Sequence, residues 1–342
     1  MAASKNSLRT FILTRLLLAP LQLWVVVTLL FALLRIVPGD PIVVILGPRA
    51  TPDVIEQMRR DLGMDGSLLR QYGRYLFDLL HLDLGTSIST TGKSVWDIIH
   101  TFFPSTVELA IAGLGIALAI GFPLGILAAT QPQTSLDRAT RTFSILTYAL
   151  PMFWLGMMLQ LVFSVQLGWF PVGSRLPVGV APPKFFTGLY SLDALLSGNW
   201  GILGASLHHL ALPAFTLGLV MSGVFARMIR VNLREVLDAT YITAARSRGF
   251  GEWRIILIHA LRNALVPILT VIGLALASLL GGALLTEVTF SWPGLASRLV
   301  QAISQRDYPV VQGLVVFFAA IVVVVSLGLD ILNAYIDPRI RY

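Results

Sequence analysis

Six stretches of the chain run without a single Asp, Glu, Lys or Arg: residues 16–34, 109–136, 142–174, 194–226, 263–286 and 308–329. The shortest would be about 28 Å long as a helix at ~1.5 Å per residue, close to the ~30 Å hydrocarbon thickness of a bilayer. The two longest must include some loop. The pattern therefore predicts six transmembrane helices over 16–36, 106–130, 142–166, 206–226, 263–286 and 308–332. A closed barrel is excluded, because its strands would read as ~10-residue segments of alternating apolar and polar positions, not continuous apolar runs. The expected fold class is an all-α membrane protein, with lipid solvating much of its surface.

Composition strengthens this reading. Of 342 residues 56% are hydrophobic and 13% charged, about half the ~25% charge of an ordinary soluble domain, and the mean hydropathy is +0.78. The absence of cysteine excludes a disulfide framework, a thiolate zinc site and a cysteine nucleophile. No repeat, low-complexity tract or Gly/Ser linker divides the chain. Lys5, Arg9 and Arg15 before the first apolar run have the look of a signal peptide, but the run is longer than the ~7–15-residue core of one, and Arg35 and Pro38-Gly39-Asp40 stand where small residues would be cleaved. A retained first helix is expected.

A net charge of +7 and a pI near 10.0 raise the question of nucleic acid, but the positions of the charges point to membrane orientation, with the bilayer as the partner. If 1–15, 131–141, 227–262 and 333–342 share one side, that side holds fourteen Lys and Arg against six acids, counting Asp330, and the other side holds eleven against twelve. Most of those eleven lie in the long segment 35–104, where charge has little influence on orientation. Both termini are expected in the cytoplasm, with 37–105, 167–205 and 287–307 outside. Within 37–105, Thr51-Pro52-Asp53 can cap a helix through Arg60, and residues 67–80 have helical spacing. A small external subdomain follows. The segment 35–104 carries Asp40, Asp53, Glu56, Asp61, Asp65, Asp78, Asp83 and Asp97 among seven basic residues, a mixed surface suited to a transient polar interface.

Candidate chemistry is sparse. Gly92-Lys93-Ser94 ends like a phosphate-binding loop, but that pattern needs glycine where Ser87 stands, so a loop turn is expected. His208 and His209 point roughly 100° apart on a helix and lack any carboxylate–histidine spacing, which favours a polar pair at the outer start of the fourth span over metal ligation. No G-x-S-x-G accompanies a histidine in a manner that would support a hydrolase. No span offers an Asp or Glu near its middle, as an ion-coupled carrier would need. Glu108, Glu287 and Asp330 fall at span ends and are expected to be solvated or snorkelling. The chain is thus expected to be non-catalytic, to hold no metal, and to take its driving energy from elsewhere.

The segment 227–262 is basic, helix-prone and more elaborate than a link requires. Ala244 and Ala245 allow close approach to a partner, Gly249 can end a helix in the left-handed conformation, and Arg246 and Arg248 can anchor it. A second helix over 252–265 carries His259, Arg262 and Asn263 and meets Pro267. From physics alone a basic helix lying on anionic lipid stands level with a mechanical lever.

Thr243-Ala244-Ala245-x-x-x-Gly249, followed by His259-Ala260-Leu261-Arg262-Asn263-Ala264-Leu265-Val266-Pro267, resembles the coupling-loop pattern E-A-A-x-x-x-G of ATP-binding-cassette importer permeases, with Thr243 in place of the glutamate. Pro38-Gly39-Asp40-Pro41, Asp83-Leu84-Gly85-Thr86-Ser87, Pro104-Ser105-Thr106-Val107-Glu108-Leu109 and Pro151-Met152-Phe153-Trp154-Leu155-Gly156 resemble its dipeptide, oligopeptide and nickel branch. So do Arg306-Asp307-Tyr308-Pro309-Val310-Val311-Gln312-Gly313 and Asp337-Pro338-Arg339-Ile340-Arg341-Tyr342. The resemblance runs from about residue 10 to the end. It implies a six-helix type I importer permease in a bacterial inner membrane. The implied partners are a second homologous permease, two cytoplasmic ATPase subunits and an external solute-binding protein. The implied use of ATP and Mg belongs to the ATPases, with no cofactor in this chain. It also implies coupling through Tyr241, Thr243, Ala244, Ala245, Arg246, Gly249, His259, Asn263 and Pro267, with Asp137, Arg138 and Arg141 as a second contact. The solute stays open among dipeptide, longer peptide, glutathione and nickel chelate. A secondary carrier and a membrane scaffold remain the rival classes.

Overall fold

The computed structural model describes residues 5–36, 51–61, 66–90, 92–280 and 283–336. The motifs at 38–41 and 337–342, with Asp40 and Asp65, lie outside them. The described residues are mostly helical and include no strand, only one isolated bridge between Thr86 and Ser94. In chain order they form α1 (Lys5–Ile36), α2 (Pro52–Asp61), α3 (Leu68–Leu80), α4 (Val95–Thr130), α5 (Ser135–Ala149) and α6 (Met152–Leu159), continued by the π-helical turn Gln160–Gln166. Then come α7 (Tyr190–Leu196), α8 (Trp200–Leu237), α9 (Thr240–Ser247), the single turn α10 (Glu252–Arg254), the π-helical Ile255–Ala260, α11 (Leu261–Leu280), α12 (Leu284–Thr289), α13 (Leu295–Ser304) and α14 (Tyr308–Ile336).

Among the described residues four helices, Ile12–Arg35, Val95–Thr130, Trp200–Leu237 and Tyr308–Ala334, are long and apolar enough to cross a membrane, and there are six such spans if each of two bent pairs counts as one. The apolar stretch from Thr142 is not one rod. α5 and α6 meet at 99°, because Pro151 removes a helical N–H and forces Leu150 into the extended conformation (ψ 127°). A second bend of 56° separates Glu252–Leu265 from Pro267–Leu280.

The centre of the bundle is the parallel pair α4 and α8. Small residues line their seam. A Cβ at Gly121 would stand 2.8 Å from the Ser222 carbonyl, and one at Gly125 2.8 Å from that of Ala226. With no side chain between them the two backbones approach closely, the packing that replaces hydrophobic drive inside lipid. One end of the pair continues into a buried cluster of Phe225, Ile229, Leu233, Leu237, Ile242, Ile255 and Ile256. At the opposite end Val95, Ile98 and Ile99 join Leu295, Tyr308 and Leu314. α1 lies at the periphery against α14, with an ion pair of 3.2 Å between Arg15 and Asp330.

Candidate functional site

At the C-terminal end of α8 the chain turns through Asp238 and Ala239 into the short helix α9. Ile242 is fully buried in the cluster that holds Leu233, Leu237, Ile255 and Ile256, so one face of α9 is fixed to the bundle. Tyr241, Thr243, Ala244 and Arg246 are exposed on the other, and Ala245 is half-buried. The helix ends as the sequence foresaw. The Phe250 N–H donates to the Ala245 carbonyl (3.4 Å) and the Gly249 N–H to that of Arg246 (2.9 Å), the paired bonds of a Schellman motif. Gly249 supplies the left-handed residue, at φ +78°.

Three further contacts hold the second arm of the segment to the first. The Asn263 amide donates to the Tyr241 hydroxyl at 2.7 Å. Arg246 donates to Glu252 at 2.8 Å, which raises its guanidinium further above the ordinary arginine value. The His259 ring lies 5.5 Å from that of Phe250. Tyr241, Arg246, Gly249, His259 and Asn263 thus form one compact unit around an exposed face built of Thr243 and Ala244. Pro267 is exposed, farther along at the 56° bend.

Asp137, Arg138 and Arg141 stand apart from this unit, in the first turns of α5. Arg138 and Arg141 are exposed, but Asp137 is fully buried and has no surface to offer a partner. It accepts the Gln133 N–H at 3.1 Å and ion pairs with both Arg141 and Arg230 of α8. Sequence reasoning missed Arg230, one of seven basic residues in its segment, because its partner lies 93 positions away.

The far end of the bundle is closed by buried carboxylates. Glu108 and Glu287, expected to be solvated, are 5% and 0% exposed. The reason is that each is surrounded by donors that replace water. Glu108 ion pairs with Arg175 and accepts the Ser191 N–H (2.7 Å) and hydroxyl (2.6 Å). Arg175 also donates to Ser105 at 2.8 Å and lies 3.4 Å over the Tyr190 ring. Glu287 accepts the Thr106 hydroxyl at 2.6 Å and the Ser297 N–H at 2.8 Å. Asp307 accepts the hydroxyls of Ser87 and Ser89, each at 2.6 Å. Asp193, in the short α7, accepts the Thr187 hydroxyl at 2.7 Å and the Thr187 and Gly188 N–H groups at 2.8 and 2.9 Å. Burial opposes its ionisation, and these donors hold its pKa below the ordinary carboxylate value. His208 and His209 fasten the preceding loop through the Trp169 and Gly173 carbonyls, at 2.7 and 2.9 Å. Ser94 caps α4, and Gly92 makes the turn before it at φ +84°.

A bent-helix membrane bundle, closed at one end by polar loops and bearing at the other a short exposed helix on a rigid stem, is the architecture of a transport permease. Residues 121–342 match the model of the binding-protein-dependent transport system inner membrane component, residues 8–110 match that of its N-terminal part, and the chain belongs to this family. It is 44% identical to a probable D,D-dipeptide transport system permease protein of Escherichia coli K12, over 91% of each chain. It is 43% identical to a di/tripeptide transport system permease protein of Pseudomonas aeruginosa, over 92% of this chain and 94% of that one. With a dipeptide transport system permease protein of Escherichia coli K12 it shares 38% identity over 97% and 98%. A chain of the methionine ABC transporter MetNI, in an inward facing form, shares the fold at 16% identity, with a TM-score of 0.52 over 71% of this chain and 97% of that one. The fold is that of a type I ABC importer permease.

Proposed function

We propose that this chain is the permease subunit of an ATP-driven importer of dipeptides or closely related short peptides. It supplies half of the translocation pathway, and a second homologous permease supplies the other half. The observation that carries the reading is the exposed α9 face, Thr243 and Ala244, held by Ile242 and Gly249 at the end of the 38-residue α8. Such a helix can sit in a groove of a cytoplasmic ATPase and move α8 as a rigid body, with Arg138 and Arg141 as a second contact. Two ATPase subunits hydrolyse ATP with Mg, and this chain has no catalytic role. The peptide assignment draws on the names of the relatives. Glutathione and nickel chelates are the alternative solutes.

With α9 cytoplasmic, both termini are cytoplasmic as well, and the carboxylate-closed end faces outward. The six spans then lie over 16–36, 106–130, 142–166, 206–226, 263–286 and 308–332. The external subdomain, with its mixed charges, receives the solute-binding protein.

Reconstitution tests the whole reading. Proteoliposomes holding this chain with its partner permease, ATPases and binding protein should accumulate alanyl-alanine only with ATP. Uptake that survives removal of the ATPases would identify a secondary carrier, and absence of flux for every candidate solute a scaffold.

A further inference from the structure

The buried carboxylate Asp137 carries two guanidiniums where one would neutralise it. Arg141 lies one turn along on α5 itself and binds it through both oxygens, at 3.3 Å from Nε to Oδ1 and by the ion pair to Oδ2. This bond lies within one helix and ties nothing to α5. Arg230 comes from α8, pairs with Oδ1 and donates a second bond from Nη2 to Oδ2 at 3.2 Å. The two-pronged geometry fixes the angle between the helices as well as their distance. One heptad later on α5 and one heptad earlier on the antiparallel α8, the Gly223 backbone is pressed against Ser144 and Thr147, leaving no room for a Cβ. The two helices are joined at two points.

What lies on each side of this joint gives it a role. Arg230 is two turns before the end of α8, which leads through Asp238 and Ala239 into α9. On the other side α5 continues through the 99° bend into α6, and α6 ends against the closure at the far end of the bundle. There the Thr286 hydroxyl donates to the Met152 sulfur at 3.1 Å, Gln160 donates to the Thr289 carbonyl at 3.0 Å, and a Cβ at Gly156 would stand 3.1 Å from the Phe290 ring. These contacts flank Glu287. A continuous train of packed elements therefore runs from the α9 end to the closed end.

We propose that the Asp137–Arg230 ion pair is the joint that passes movement of α9 and α8 to the bent arm α5–α6, and through the arm to the α12 closure at the opposite end. The two residues position the arm and touch neither solute nor ATPase. The inference rests on the coupling role given to α9 above.

Arg230→Gln is the decisive substitution, because Arg141 still neutralises Asp137 and the fold keeps its buried charge paired. The complete complex is purified from membranes and reconstituted, and alanyl-alanine uptake is measured per ATP hydrolysed. The complex should assemble and keep its solute-free ATP hydrolysis, while uptake per ATP falls roughly tenfold. Asp137→Asn should show the same loss and the double variant no more, since both cut one link. Arg230→Lys keeps the charge and should recover most of the coupling. Native uptake per ATP in Arg230→Gln, or losses that add in the double variant, would overturn the joint. Failure of both Arg230→Gln and Arg230→Lys to assemble would assign the pair to folding alone and overturn it equally. Gly249→Val in parallel separates the two levels: normal coupling there overturns the role of α9, whereas uncoupling there beside a normal Arg230→Gln removes the joint and leaves α9 in place.

Discussion

Burial pushes the Glu287 carboxyl up from its ordinary 4.5 to about 7, against the pull of the Thr106 hydroxyl and the Ser297 N–H that favour its charged form. A carboxyl whose pKa is raised in the folded state holds a proton that the unfolded state gives up. The stabilisation is full below the unfolded value and is lost as pH rises through about 7. The α12–α13 closure should therefore exchange amide hydrogens faster at pH 8 than at pH 6, after correction for intrinsic rates. Glu287→Gln, which stays neutral, should flatten the difference, and equal protection of the native chain at both values would refute the prediction. Little at this scale was legible in advance. Glu108 and Glu287 sit where apolar runs stop, and the same positions suit a solvated carboxylate. The available signal was the neighbouring hydroxyls, Ser105 and Thr106, which bond to Arg175 and Glu287.

Among the elements, α9 and its stop were readable because their chemistry is local: two alanines, arginines, and a glycine two residues past the helix end. A Cβ at Gly249 would meet nothing within 4 Å, so the cost of Gly249→Val is backbone strain alone, roughly 1–2 kcal/mol for a left-handed residue. That is too little to unfold a bundle and enough to redirect α10. The variant should reach the membrane in normal amounts and assemble, yet show uptake uncoupled from ATP hydrolysis. Native solute-stimulated hydrolysis and uptake would show that the turn has no mechanical part. The bend between α5 and α6 was not read from the sequence. Pro151 marks a boundary, but the angle depends on where α12 receives α6. The α4–α8 seam was likewise unread, although Ala110, Gly113, Ala117, Gly121, Gly125 and Ala128 place small buried residues at helical spacing.

The membrane class and helical architecture of the whole molecule follow from charge-free runs, which need no knowledge of tertiary contacts. Topology can be tested cleanly because the sequence has no cysteine. A single cysteine in place of Thr243 should react with a membrane-impermeant maleimide only in inside-out vesicles, and one in place of Lys93 only in intact spheroplasts. The reverse pattern would invert the orientation drawn from the basic residues. The closure at the far end could not be derived in this way, since its bonds join positions far apart in the chain. The Thr106 hydroxyl meets Glu287 across 181 residues, and the Ser87 hydroxyl meets Asp307 across 220. At ~5–20 residues per second of synthesis, Ser87 leaves the ribosome roughly 10–45 s before its partner exists. During that interval the first half of the chain holds a row of hydroxyls with their acceptors still unmade. That end of the bundle can settle only when the last third has been threaded into the bilayer, so a chain stopped before Asp307 should remain an open substrate for membrane proteases.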